Sequence, residues 1–504
     1  MLFVSLVRRA MPILACGLLA PAVFAAVPIS PPPDQPPLFA RRPLADAAPA
    51  TLDPALAPLG RIEAAARASQ WALDRLEDLT DQIGPRLTGS VGAAAAVAQV
   101  SAALRDAGLT VHLEPVRVGH WERGTELGEL VDYAGRPAGV TQKVVLTALG
   151  GSAATPAEGL TAPVIIVHDF DALAALGERV RGSIVLFDVP FPLALVEHGS
   201  AGEAYGQTIG YRVAGPARAA KLGAVAALVR SLGSADFRLP HTGVTVFPAD
   251  QAAIPAAAVT AEDAQLISRL ERRGAPVRLH LTLTPRQLPE VDSANVIAEI
   301  PGSDPGAGVV LVSGHLDSWD LAQGAIDDGT GVAAAMGALQ VIHSLGLHPR
   351  RTLRFVAWMN EENGSRGAQD YAKRHADELR QHVAAIESDA GAGYVQGFMT
   401  NATPAAEALL RPLRDALQPF GHGVLLQTAR ELGSDLEAIE KAGTPVFEPL
   451  VDTRHYFDFH HTPADTFDKV IPADLQAQVA LLAELAWYLA NTSEPLPRLA
   501  IKVP

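Results

Sequence analysis

Five short segments in the C-terminal half of the 504-residue chain carry residue types that bind and use metal ions: His315-Leu316-Asp317, Asp327-Asp328-Gly329-Thr330-Gly331, Asn360-Glu361-Glu362, Asp389, and His460-His461. Alternate residues of an extended segment point the same way. Asp317 is therefore expected to accept the second ring N–H of His315, fixing its tautomer and raising its basicity as a ligand. Two adjacent carboxylates repel unless a cation neutralises them, so one Asp of the 327–328 pair is expected to bridge two cations. The Glu pair divides the work: one binds metal and its neighbour takes a proton from the attacking water. Asp389 adds a carboxylate, and the His pair offers a nitrogen ligand. Each segment alone has an ordinary explanation as a polar loop, a turn, a helix cap or a solvated pair. Jointly, two imidazoles and three carboxylates without thiolates suit two zinc ions sharing an Asp. Such a pair polarises a scissile carbonyl and helps make hydroxide at neutral pH.

The elements that must position these residues follow from the apolar pattern. From about residue 293 the chain alternates strand, loop and helix. Val309–Ser313, Thr352–Met359 and Ala384–Ser388 read as strands, and Gly329–Leu345 as a helix with Val332, Met336 and Leu339 on its apolar face. This alternation predicts an α/β domain with a mixed, largely parallel sheet flanked by helices. His315, the Glu pair and Asp389 each follow a different strand, and open α/β sheets bind ligands at the carboxyl ends of their strands. Helices are also expected over Arg61–Leu79 and Val91–Ala107, with an extended run over Thr110–Val118. Residues 126–290 differ in character. They carry short apolar runs, Val164–Val167, Ile184–Phe187 and Ala224–Val229, separated by Gly and Pro, with one amphipathic helix over Arg212–Leu222. This stretch reads as a smaller domain inserted into the main one, leaving 61–125 and 291–504 to form the catalytic domain.

Composition narrows the class. The chain is 48% hydrophobic and 19% charged, the profile of a folded globular protein. Its net charge is −15 with no Lys/Arg cluster, which argues against a nucleic-acid partner. Arg8-Arg9, the apolar run to about Phe24 and the small residues Val23 and Ala25 give residues 1–25 the pattern of a secretory signal peptide. Secreted or periplasmic placement is expected, with a membrane anchor or lipidation at Cys16 as the alternatives. No later segment is apolar for long enough to span a bilayer. Cys16 is the sole cysteine, so after cleavage neither disulfides nor thiolate metal sites remain. Residues 26–60, rich in Pro and Ala, read as an extended arm.

In their order, these motifs resemble the two-zinc exopeptidases that include bacterial leucine aminopeptidases and plasma glutamate carboxypeptidase, and most of all the carboxypeptidase Q branch. The segments carrying the resemblance are His315-Leu316-Asp317, Asp327 to Gly331, Asn360 to Tyr371, Glu387 to Gly391 and His460 to Thr466. Ile83 to Ser90, His120 to Gly124, Pro240 to Gly243 and Asn295 to Ile300 add to it. The resemblance implies His315, Asp327, Glu362, Asp389 and His461 as zinc ligands, with Asp327 bridging and Glu361 as general base. It selects His461 over His460, because the family's ligand directly precedes Ser or Thr. It implies a zinc exopeptidase fold, and the inserted region is similar to a protease-associated domain whose role stays open among lid, substrate gate and homodimer surface. The implied activity is hydrolysis of short peptides or dipeptides at a free end. A carboxypeptidase outcome, a non-catalytic binding protein on the same scaffold and a single-zinc glutaminyl cyclase are the competing readings.

Overall fold

The computed structural model describes residues 53–235, 237–427 and 432–500. The expected signal peptide, Cys16 and most of the Pro/Ala-rich arm lie outside the described residues.

Among the described residues the strands form two eight-stranded sheets. The first runs in the order Thr110–Glu122, Arg286–Ile300, Thr352–Trp358, Val309–His315, His382–Glu387, Val446–Val451, Val395–Thr400 and Val424–Gln427. Its four central strands, 352–358, 309–315, 382–387 and 446–451, are mutually parallel, and antiparallel pairings flank them. The central strands are mainly apolar because both faces are covered. In Val309–His315, Val310 and Val312 face one core cluster while Leu311 faces another. The larger cluster is closed by helices Leu59–Ala68, Val91–Asp106, Thr330–Ser344 and Pro472–Asn491. The opposite face is covered by Arg366–Arg374 and Glu437–Lys441.

The chain leaves this sheet through Thr110–Glu122, builds the second sheet between residues 126 and 283, and returns through Arg286–Ile300. The outgoing and returning strands pair antiparallel over most of their length. The second sheet holds the strands Leu160–Val167, Ile184–Phe187, Ala226–Arg230 and Ala256–Val259 in parallel, with antiparallel strands at its margins.

Three expected elements differ in detail. The helix over Arg61–Leu79 is broken at Ser69-Gln70, where the last turn of Leu59–Ala68 ends and Trp71–Glu77 begins. The helix expected over Arg212–Leu222 is two helices, Ala201–Val213 and Gly215–Lys221. Pro216 has no N–H to continue the first and sits in the opening turn of the second, where none is needed. The strand at Val309 extends through His315, so that residue ends the strand rather than following it. Among the described residues no helix is long and apolar enough to cross a membrane.

Phe355 is 0% exposed in a central strand and faces the larger cluster. Truncation to Ala is expected to cost about 3–5 kcal/mol. Leu113→Ala, at a position 43% exposed, should stay within about 0.5 kcal/mol. Urea unfolding midpoints of the two variants check the contrast.

Candidate metal centre

Each group starts from a strand end or the loop beyond it. His315 ends one central strand opposite Trp358, which ends the next. Met359-Asn360 then turns the chain into Glu361 and Glu362. The turn uses Asn360 in the left-handed region, with φ at 79°, and asparagine tolerates that conformation better than most residues. His461 is also left-handed, with φ at 60°. Side chains other than glycine rarely adopt this region, and where they do the site is often functional.

The structure sets Asp327 between two groups. One of its oxygens, Oδ1, is 3.1 Å from His315 Nε2, which is also 3.3 Å from Asp389 Oδ1. The other, Oδ2, is 3.1 Å from His461 Nε2, which lies 3.0 Å from Glu362 Oε2. His315, Asp327, Glu362 and His461 are all buried, and Asp389 is partly exposed. His460 stacks on His461 with ring centroids 3.6 Å apart, but its Nε2 stands 3.5 Å from Asp327 and its Nδ1 has no partner.

Both histidines have their second nitrogen committed. His315 Nδ1 is 2.9 Å from the Asp317 carbonyl, and His461 Nδ1 is 3.1 Å from the Thr242 carbonyl. A carbonyl only accepts, so His315 Nδ1 carries a proton, while His461 Nδ1 faces both the Thr242 carbonyl and Arg212 Nη1, the latter at 3.3 Å. Each Nε2 is aimed at Asp327, and the surrounding carboxylates raise the pKa of both rings against burial. This corrects the expected role of Asp317. Its backbone oxygen, not its carboxylate, orients His315. The carboxylate instead accepts from the Asn360 and Glu361 N–H groups, at 2.8 and 3.1 Å, and from the Thr88 hydroxyl at 2.5 Å. Two unpaired amides at a helix start are stronger claims on a buried carboxylate than an imidazole already served by a carbonyl. Asp317 thus positions Glu361.

Asp328 turns away from Asp327. It accepts from the His315 N–H at 3.0 Å and the Gly331 N–H at 3.1 Å, joining the strand end to the helix Thr330–Ser344. A Cβ at Gly331 would stand 2.0 Å from the Ser388 carbonyl and 2.3 Å from Asp328, so the close approach requires glycine there.

Several groups that hold the centre carry no motif chemistry of their own. Asp465 accepts from the Ile326 and Asp327 N–H groups at 2.6 and 3.1 Å, fixing the backbone of Asp327. Arg86, fully buried, donates to the carbonyls of Leu316, Gln323 and Gly324 at 2.7, 2.5 and 2.7 Å. The Trp319 backbone N–H donates to Glu362 Oε1 at 3.2 Å. Arg123 grips Asp320 through Nε at 3.0 and 2.9 Å and also reaches the Thr242 hydroxyl at 3.2 Å. Asp465 and Arg86 lie within segments that carried the family resemblance, which was the available signal.

Electrostatics favour cations here. Burial works against a charge on Asp327, yet His315 and His461 hold its pKa well below the usual carboxylate range. Burial pushes Glu361 up to about 7, opposed by His315 and assisted by Asp389. Glu362 rises to about 8 through burial, with Asp327 adding to the shift and His461 opposing it. Burial, then neighbouring carboxylates, push Glu387 and Asp435 well above the usual range. Carboxylates outnumber cationic side chains, and Asp327 Oδ2 is buried with no hydrogen-bond donor aligned to it. Donors about 2.0–2.2 Å from a tetrahedral zinc stand about 3.3–3.6 Å apart, close to the 3.0–3.3 Å separations seen here. The residues therefore fit a pair of cations, one on each side of Asp327.

Two imidazoles and several carboxylates, buried at the carboxyl edge of an α/β sheet, define the site of a metal-dependent hydrolase. The chain belongs to peptidase family M28, whose model matches residues 295–486. It is 37% identical over 433 residues to carboxypeptidase Q of Homo sapiens, covering 86% of this chain and 88% of that protein. The crystal structure of a peptidase M28 precursor from Shewanella amazonensis SB2B superposes with a TM-score of 0.83 at 36% identity, covering 89% of this chain and 99% of that one. A zinc aminopeptidase from Bacillus subtilis shares the fold, with a TM-score of 0.58 at 20% identity over 82% of this chain and 93% of that one.

Asp465→Asn leaves one of the two amides that fix Asp327 without a carboxylate. It is expected to weaken metal binding about 10–100-fold, the usual effect of losing support behind a ligand. Competition with a chromogenic chelator measures it.

Proposed function

We propose that the chain is a zinc-dependent exopeptidase that hydrolyses short peptides or dipeptides, with His315, Asp327 and Asp389 holding one zinc and Asp327, Glu362 and His461 the other. The observation that carries this reading is the placement of Asp327, one oxygen toward each histidine. When bound, the zinc pair supplies positive charge that polarises the scissile carbonyl and acidifies the attacking water.

The protein's own groups do the rest. Glu361 takes the proton from that water and returns it to the leaving amine. Burial raises its pKa to about 7 in the metal-free site, the direction a group needs if it is to take and give back a proton. Asp317 holds the Asn360 and Glu361 amides and so aims the base. The Asp317 and Thr242 carbonyls orient the two rings so that each Nε2 faces Asp327. A cleft beside the centre, lined by Trp319, Leu321, Ala322, Glu362 and His461, gives the substrate a short apolar wall next to the ligands.

Residues 126–290 form an inserted, protease-associated-like domain in this reading, between catalytic segments 61–125 and 291–504. Its part in the site is to supply Thr242 behind His461. Residues 1–25 direct export, which makes the enzyme secreted or periplasmic. The surplus of carboxylates around Glu361 favours a substrate with a protonated N-terminal amine. The name of the human relative favours a second reading, cleavage at the C-terminal end.

Chelation should abolish activity and zinc should restore it. Glu361→Gln is expected to keep both metals while kcat falls about 10²–10⁴-fold. On a dipeptide and end-blocked panel, activity confined to free N-termini supports the first reading. Cleavage of N-blocked peptides with loss on C-terminal amidation supports the second.

A further inference from the structure

A second group of metal-ligating side chains lies outside the catalytic centre, where the first and last helices of the described residues meet the segment before an edge strand. Glu63 comes from Leu59–Ala68, Glu484 from Pro472–Asn491, and His422 precedes Val424–Gln427. One ligand atom of each falls within 4.8 Å of the others. His422 Nε2 is 2.9 Å from Glu484 Oε2 and 3.8 Å from Glu63 Oε2.

The surroundings resemble a ligand shell more than an ion pair. His422 is 1% exposed and Glu484 0%. Glu484 Oε1 and Glu63 Oε2 are buried with no hydrogen-bond partner. His422 Nε2 faces two carboxylates, the arrangement of a mixed imidazole–carboxylate metal site. Arg67 donates to Glu63 Oε1 at 3.0 Å, so one oxygen of Glu63 is held while the other is left free. Two carboxylates sharing a buried site without a cation oppose each other. The imidazole argues for a transition metal over calcium or magnesium, which prefer all-oxygen shells.

We propose that Glu63, His422 and Glu484 form a structural site for a divalent transition-metal cation of the zinc type, which ties the first and last helices to the chain before the edge strand. It adds an ion to those of the catalytic centre and takes no part in catalysis.

The test loads the full chain with Zn²⁺, removes free metal and counts zinc per chain. Glu484→Gln, with Glu63→Gln as a second variant, should hold one zinc fewer than the wild type at unchanged peptidase activity per folded chain. Each should also unfold at a lower temperature that added Zn²⁺ no longer raises. The same zinc count in wild type and in either folded variant overturns the proposal, and means that a proton shared between Glu484 and His422 occupies the site. Should neither variant fold, zinc-edge diffraction from the wild type decides, with a peak at His422 Nε2 expected and its absence overturning the proposal. Because the count is a difference of one, it stands apart from the number of ions in the catalytic centre.

Discussion

The charge on Asp327 is the constraint around which the rest of the site is arranged. A carboxylate removed from water costs several kcal/mol unless it is paired, and this one is buried among other carboxylates. Its two oxygens face the Nε2 atoms of two imidazoles whose other nitrogens meet backbone carbonyls. Without a metal the carboxylates raise the pKa of both imidazoles against burial, so that the rings take up protons facing Asp327, and a cation on each side would replace those protons. Each supporting contact serves this arrangement. Asp465 fixes the Asp327 backbone, Asp328 locks the strand end that bears His315, and Arg86 gathers the carbonyls of the loop between them.

The two sheets contribute unequally but both are needed. The first delivers His315, Glu361, Glu362 and Asp389 from the ends of parallel strands. The second reaches the centre from the side, where the Thr242 carbonyl orients His461 and the Thr242 N–H donates to the His461 carbonyl at 2.9 Å. Trp319, between the His315 strand and Asp327, packs into the core of the second sheet and meets Trp121 edge-on at 6.4 Å. Arg123 lies over the Trp121 ring at 5.1 Å and ties Asp320 to Thr242. The loop between His315 and Asp327 is thereby clamped between the two sheets.

Much of this was legible in the sequence. Apolar runs ending in His or acidic residues gave away three of the four central strands, because a strand buried on both faces is mainly apolar, whereas Val446–Val451, interrupted by Glu448 and Pro449, was not read as one. The resemblance named the residues that the structure gathers around Asp327. What was not legible depends on contacts between distant segments. Asp317 looked like a partner of His315 because the two are adjacent in an extended segment. Its carboxylate was claimed by amides at 360 and 361, which only folding brings near. Arg86 meets carbonyls more than 200 positions away, and no local pattern marks a carbonyl as needing a donor. The break inside the expected Arg212–Leu222 helix was in principle visible at Gly215-Pro216, but the apolar period ran across it.

The most direct test of the central claim is zinc-edge anomalous diffraction from crystals of the zinc-loaded enzyme. Two peaks are predicted on either side of Asp327, one in reach of His315 and Asp389 and the other in reach of Glu362 and His461. A single peak on one side of Asp327, or none in contact with it, would contradict the bridging role on which the account rests.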